Sequence, residues 1–121
     1  MKITRSDDVP SQPTDASHFD GGVTSRDLGT YEAPSGGALI VSFSAGARTH
    51  WHSHPDGQFL FVTDGEGRVG SRGGEVSRIR PGDLVYAAPN EQHWHGGAEE
   101  SALSHLALSL GTTEWFEPVE D

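Results

Sequence analysis

The chain has 121 residues, enough for one hydrophobic core but too few for two independent domains. Its 18 acidic residues outnumber its 8 lysines and arginines, and the net charge of −10 makes nucleic acid or an anionic membrane a poor partner. Cysteine is absent, which excludes disulfides and thiolate chemistry, so any metal must be bound by nitrogen and oxygen atoms.

The hydropathy pattern of the sequence predicts neither a membrane span nor a signal peptide. The longest apolar runs are about five residues, too short to span a bilayer, and the first residues lack the positive region and apolar stretch that are typical of a signal peptide. We therefore expect a cytoplasmic protein that acts on a small molecule and has no membrane partner.

Short strands separated by turn residues are predicted along most of the chain. Residues 1–17 are polar and aperiodic, which predicts a mobile N-terminal arm or an edge strand, and residues 18–121 are expected to form the domain. Strands are predicted at 23–31, 38–44, 58–63, 68–71, 75–80, 83–88, 92–95 and 101–110. Helical periodicity is absent, so the predicted fold class is all-β, either a sandwich or a closed barrel.

The predicted strand at 58–63 is apolar on both faces. Leu60 and Val62 share the side of Gln58, whereas Phe59 and Phe61 lie on the opposite side. One side must face the interior, so the phenylalanine side is expected to pack against something else, most simply a second copy of the chain. We therefore expect a homo-oligomer, a dimer or tetramer; the alternative is a local cover formed by the N-terminal arm.

Six of the seven histidines lie in or near two blocks of sequence. In the first block His50, His52 and His54 alternate, so an extended backbone would direct all three rings to one face, with Gln58 at the same parity. The second block ends in another alternating pair of histidines, His93 and His95. Two such blocks in separate strands predict a metal site.

Three imidazoles and one glutamine oxygen would give an ion four ligands, which we call the ligand set: His52, His54, Gln58 and His93. His50 is expected outside this set, because a fourth imidazole would crowd the ion. The nitrogen and oxygen donors suit Mn²⁺, Fe²⁺, Co²⁺, Ni²⁺, Zn²⁺ or Cu²⁺ and leave positions open for water or substrate. Because no ligand is charged, the ion would keep its full positive charge and act as a strong Lewis acid.

Two further histidines have the strand parity of inward neighbours of the ligand set. His95 and His105 could each carry a proton, because an imidazole titrates near neutral pH. The alternative is that each is a hydrogen-bonded core histidine that orients a ligand.

The two blocks together resemble the two motifs of the cupin superfamily. Gly46, His52, His54 and Gly65 match the first motif, in which Gln58 stands where glutamate is usual. The second motif is matched by Gly82 and His93, while Ala88 and Asn90 replace its proline and glycine. This resemblance implies a single-domain cupin-type jelly-roll β-barrel.

A closer resemblance, to small bacterial monocupins that include manganese-dependent hydroxynitrile lyases, is carried by Trp51-His-Ser-His-Pro, Gly57-Gln, Pro81-Gly-Asp, His93-Trp-His-Gly and Ser104-His-Leu-Ala. It implies a metal, with Mn²⁺ favoured, on the ligand set. It also implies catalytic roles for His95, His105 and Thr49, and substrate binding by Leu39, Val41 and Ser109.

Three hypotheses of function follow. The first is a carbon–carbon lyase that cleaves or forms cyanohydrins such as mandelonitrile. The second is a small metal-dependent dioxygenase that uses the open positions for oxygen and a chelating substrate. The third is a non-enzymatic module in which the barrel holds a small ligand.

Overall fold

The computed structural model describes residues 1–120 as short strands and one 3₁₀ helix, Ser6–Asp8. The strands, in chain order, are β1 (Gln12–Pro13), β2 (Phe19–Asp20), β3 (Val23–Glu32), β4 (Ser35–Phe43), β5 (Arg48–Thr49), β6 (His52–Ser53), β7 (Gln58–Gly65), β8 (Gly67–Ser71), β9 (Ser77–Ile79), β10 (Leu84–Ala87), β11 (His93–Gly97), β12 (Leu103–Leu110) and β13 (Glu114–Trp115). They form two antiparallel sheets, so the all-β prediction is confirmed. No helix in residues 1–120 is long and apolar enough to cross a membrane.

One sheet has six strands in the order β1-β3-β4-β12-β7-β10. In its three central strands, β4, β12 and β7, the side chains alternate between the two faces of the sheet, as predicted. The side chains buried on one face are Val41, Phe43, Leu60, Val62, His105 and Ala107. The opposite face exposes Phe59, Phe61 and Leu108 to solvent. The period of two in the sequence therefore decides which side chains reach the interior.

The second sheet has the order β13-β6-β11-β5-β2, with β8 beside β11 and β9 beside β8. The buried core draws on both sheets and contains Val23, Val41, Phe43, Ala47, Val62, Ile79 and Leu103. Phe43 lies where this core meets the histidines, because its ring centroid is 5.4 Å from that of His105 and 5.8 Å from that of His95. The site is thus built directly on the apolar core.

The first histidine block is not one continuous strand. Between β5 and β6 the backbone changes partners: the His50 N–H donates to the His18 carbonyl at 2.9 Å, and the Trp51 N–H donates to the Glu117 carbonyl at 3.0 Å. The alternation is broken there, and the His50 ring lies against the Asp20 carboxylate at 3.3 Å. The expectation that all three histidines of the block share one face is therefore wrong for His50.

The tight turn that contains Asn90 is hydrogen-bonded to both histidine blocks. Asn90 adopts a φ of 65°, a left-handed conformation that glycine supplies most easily and that asparagine tolerates better than most residues. Its N–H donates to the His54 carbonyl at 2.8 Å, and the carbonyl of Glu91 accepts from the His93 ring. Asparagine can therefore replace the motif glycine while both blocks stay fixed.

Part of the N-terminal segment lies on the sheet edge. Strand β1 pairs with Thr24 and Ser25 of β3, and the Thr14 N–H donates to the Val23 carbonyl at 3.1 Å. The mobility of residues 1–17 as a whole stays a prediction. The last residue of the predicted domain, Asp121, lies outside the described residues.

Candidate metal centre

The predicted ligand set comes together between the two sheets. Its ring centroids are 4.3 Å apart for His52 and His93, 5.1 Å for His52 and His54, and 5.5 Å for His54 and His93. Gln58 reaches them from the facing sheet, with its Oε1 atom 2.9 Å from His93 Nε2. All four side chains are buried. Residues that lie up to 41 positions apart in the chain thus share one small volume.

The hydrogen bonds of these imidazoles leave the same nitrogen available on each. His52 Nδ1 donates to the His50 carbonyl at 2.9 Å, and His93 Nδ1 donates to the Glu91 carbonyl at 2.9 Å, because a carbonyl oxygen only accepts. A neutral ring that donates from Nδ1 carries its lone pair on Nε2. In His54, Nδ1 bonds to the Thr113 hydroxyl at 3.2 Å, and the buried Nε2 has no hydrogen-bond partner in residues 1–120.

Gln58 is oriented by a second hydrogen bond. Its Nε2 donates to the Ser109 hydroxyl at 2.8 Å, which turns Oε1 toward His93 Nε2. Two lone-pair acceptors 2.9 Å apart repel each other unless a proton or a cation lies beside both. The distance is close to the roughly 3 Å that separates two ligands bound at about 2.1 Å and at a right angle to one ion. The donor set therefore fits a divalent cation.

Burial keeps these imidazoles neutral, as metal ligation requires. Desolvation and the neighbouring His93 lower the pKa of His52 well below its usual value and that of His54 to about 4. The pKa of His93 is also lowered, chiefly by desolvation, although its bond to Glu91 opposes the shift. At neutral pH each of the three rings is therefore uncharged and has one nitrogen lone pair that can bind a metal ion.

The two remaining interior histidines form a pair, which we call the dyad. His105 Nε2 and His95 Nδ1 are 3.0 Å apart, and both rings are almost inaccessible to solvent. Desolvation lowers the pKa of His105 to about 4, and desolvation together with the neighbouring His105 lowers the pKa of His95 well below its usual value. His95 Nε2 and His105 Nδ1 have no hydrogen-bond partner within residues 1–120. Each neutral ring carries one N–H proton, and one of these two protons lies in the hydrogen bond between the rings.

The dyad lies next to the ligand set. The His95 ring centroid is 5.1 Å from that of His52 and 5.8 Å from that of His93. Ring nitrogens of these three residues lie within 4.8 Å of one another, a separation that also suits a metal ion. His95 and His54 are therefore competing candidates for the third imidazole.

The residues with predicted substrate or catalytic roles line the same interior. Val41 is paired with His105 across β4 and β12, and Leu39 packs against the core. The Thr49 hydroxyl accepts a hydrogen bond from the His95 N–H at 3.2 Å. Ser109 contacts Gln58, so its hydroxyl is already engaged with the ligand set. The roles of these four residues in substrate binding and catalysis stay predictions.

The sequence did not indicate two features of the site. One is Thr113, whose contact with His54 spans 59 positions and has no local signal. The other is a cleft of about 140 Å³ that reaches His93 and is lined by Val69, Gly70, Ser71, Glu75, Ser77, Val85, Tyr86, Ala87 and Glu91. Glu91 belongs to a turn, and the Ser71 hydroxyl donates to its carboxylate at 2.8 Å.

Metal-free protein is expected to lose stability between about pH 6.5 and pH 4. The unfolded chain protonates His105 near 6.5 but the folded chain only near 4, so stability is full above 6.5 and falls as the pH drops toward 4. The loss for His105 is about 3 kcal/mol in the free energy of unfolding. Urea unfolding at several pH values in this range measures the loss, and we expect the free energy of unfolding of His105→Gln to depend less steeply on pH. An equal dependence in both proteins would contradict the assignment.

Comparisons with known proteins identify the family to which the chain belongs. A family model described as "Cupin domain" matches residues 39–108, more than half of the chain. An (R)-mandelonitrile lyase of Granulicella tundricola is 41% identical over 128 residues, which cover 100% of this chain and 96% of that protein.

Solved structures give the same result for the fold. A cupin-like protein from Thermotoga maritima has a TM-score of 0.86 and 38% identity, covering 90% of this chain and 86% of its own. An acetylacetone dioxygenase from Acinetobacter johnsonii has a TM-score of 0.76 at 21% identity, covering 97% of this chain and 78% of its own, a likeness of fold alone. The jelly-roll prediction is thereby confirmed, and the chain belongs to the cupin family.

Proposed function

We propose that this chain is a cytoplasmic, metal-dependent lyase of the hydroxynitrile lyase type, which cleaves or forms cyanohydrins such as mandelonitrile. The observation that carries the proposal is the dyad beside the ligand set: a neutral imidazole with a free Nε2, backed by a second imidazole, next to a cation-binding group of atoms. The relative named as an (R)-mandelonitrile lyase, aligned over the whole chain, supports the same reaction.

In this proposal His52, His54 and His93 would hold a divalent ion through Nε2, and Gln58 would hold it through Oε1. Mn²⁺ is favoured by the family resemblance, and the uncharged donors would also accept Fe²⁺, Co²⁺, Ni²⁺, Zn²⁺ or Cu²⁺. When bound, the ion would act as a Lewis acid that lowers the pKa of a hydroxyl group and stabilises negative charge on its oxygen.

The dyad moves the proton in this account. His95 Nε2 accepts the hydroxyl proton of the cyanohydrin, the oxygen forms the carbonyl double bond, and the bond to the nitrile carbon breaks with its electron pair leaving on cyanide. His95 then returns the proton to cyanide, giving an aldehyde and hydrogen cyanide. In this account His95 Nδ1 donates to His105 Nε2, which lies 3.0 Å away, so that His105 stabilises the transient positive charge.

Other interior side chains would shape the substrate position. Leu39 and Val41 offer apolar surface for an aromatic or aliphatic group, and Thr49 fixes the backbone of His95. Ser109 would contact substrate from beside Gln58, whose amide it already holds.

Benzaldehyde release from racemic mandelonitrile at mildly acidic pH tests the proposal. We expect protein loaded with Mn²⁺ to release benzaldehyde well above the rate of metal-stripped protein. Equal rates would contradict the lyase assignment for this substrate. Oxygen consumption by protein loaded with Fe²⁺, without cleavage of mandelonitrile, would favour the dioxygenase hypothesis instead.

We propose a homo-oligomer formed through the exposed face of the six-stranded sheet. Cross-strand neighbours build an apolar patch there: the Tyr86 and Phe59 ring centroids are 5.1 Å apart, Leu84 pairs with Phe61, and Leu108 pairs with Phe59. Leu84 is 63% exposed and Tyr86 is 56% exposed in the single chain. A two-fold axis would bring the same patch of two copies together and bury it.

Light scattering after gel filtration tests this interface. Leu84→Lys is expected to convert the oligomer to monomer, because it buries an unpaired charge between subunits. Val76→Lys is the matched control, since Val76 is also exposed, at 58%, but lies outside the patch. A monomeric wild-type protein, or an oligomer unaffected by Leu84→Lys, would be contrary to the proposal.

A further inference from the structure

The segment that follows β12 runs along β6, the strand that carries the ligand His52 and directly precedes His54. Strand β13 pairs with β6, with Trp115 opposite His52, while β11 pairs with β6 on the other side. The Phe116 N–H donates to the Trp51 carbonyl at 2.8 Å, which extends the pairing beyond the two strands. Strand β6 has only two residues, so its position depends on both neighbours.

This segment also contacts the rings of two members of the ligand set. The Trp115 ring lies 4.7 Å from the His52 ring, at 35° to it, and stacks on His18 at 4.3 Å and 6°. Thr113 places its hydroxyl 3.2 Å from His54 Nδ1. The C-terminal segment therefore contacts two of the proposed metal ligands directly.

His54 differs from the other two ligand histidines in how its tautomer is set. His52 and His93 donate from Nδ1 to backbone carbonyls, which can only accept, so their tautomer is determined by the fold. His54 has the Thr113 hydroxyl in the corresponding place. A hydroxyl can donate or accept at this contact, and only the Nδ1–H tautomer, in which it accepts, leaves the lone pair on the buried Nε2.

We infer that Thr113 is a positioning residue of the metal centre: its side-chain oxygen holds His54 in the Nδ1–H tautomer and in the ring orientation that ligation requires. The inference rests on the proposed function, because it assumes that His54 binds the ion. The loss of a hydrogen-bond partner of a ligating histidine typically weakens metal binding by about 10- to 100-fold.

Three variants at neighbouring positions test this inference by Mn²⁺ affinity. Thr113→Val keeps the shape and removes the hydroxyl, and Thr113→Ser keeps the hydroxyl. Thr112→Val makes the same replacement one residue earlier, at an exposed side chain. We expect the Mn²⁺ dissociation constant to rise about 10- to 100-fold in Thr113→Val only. Unchanged affinity in Thr113→Val, or equal weakening in all three variants, would overturn the inference.

A measurement on metal-free protein separates this inference from the metal centre itself. Imidazole ¹⁵N shifts report which nitrogen of His54 carries the proton. We expect Nδ1–H in the wild type and in Thr113→Ser, and a mixture of tautomers in Thr113→Val. If the wild type binds no Mn²⁺, the proposed function fails, and the tautomer still decides the role of Thr113. A wild-type His54 protonated on Nε2 would overturn that role.

Discussion

Replacing His93 by alanine is expected to remove both the bound metal and the lyase activity. His93 touches every part of the ligand set, since its ring lies beside those of His52 and His54 and its Nε2 is 2.9 Å from Gln58 Oε1. Activity should fall by more than the roughly 100-fold that follows loss of a ligand's hydrogen-bond partner, because the ligand itself is removed.

Metal analysis after dialysis, together with benzaldehyde release, measures both effects. His50→Ala is the matched control, since it removes a buried imidazole from the first block but retains the backbone carbonyl that His52 uses. The control should retain its metal. Full metal content in His93→Ala, or the same loss in His50→Ala, would contradict the ligand assignment.

Replacing His105 by glutamine is expected to leave the metal in place and to remove most of the turnover. His105 is fully buried, and the contact that places it in the mechanism is its bond to His95. Without it, His95 loses the partner that accepts from Nδ1 and stabilises its protonated form. Loss of a positioned acid–base group typically lowers kcat by about 10²- to 10⁴-fold.

Steady-state kinetics of metal-loaded His105→Gln, with metal content measured on the same sample, tests this role. The control His50→Gln makes the same exchange at a buried histidine outside the dyad and should retain kcat. If His105→Gln also retains kcat, His105 is a core histidine that packs against Phe43, which was the alternative from the sequence.

The interior face of the barrel was predictable because it depends on local alternation. The parity of β12 places His105, Ala107 and Ser109 on one face, and the parity of β7 places Gln58 with Leu60 and Val62. The spacing of His52, His54 and His93 carried the family resemblance. These features need only the extended backbone and the period of two that every strand shares.

Features that depend on distant partners were not predictable from the sequence. His50 leaves the common face because its backbone bonds to His18 and that of Trp51 bonds to Glu117, contacts that no local pattern encodes. The contact of Thr113 with His54 is of the same kind. Trp115 likewise lies against the ligand His52 because β13 pairs with β6, a pairing between distant parts of the chain.

Anomalous diffraction from crystals grown with Mn²⁺ tests the central claim most directly, because it locates the ion relative to both candidate sets of histidines. We predict one strong peak at coordination distance, about 2 Å, from Nε2 of His52, His54 and His93 and from Oε1 of Gln58. A peak bound by His52, His93 and His95 without His54, or no peak between the two sheets, would contradict the proposed metal centre.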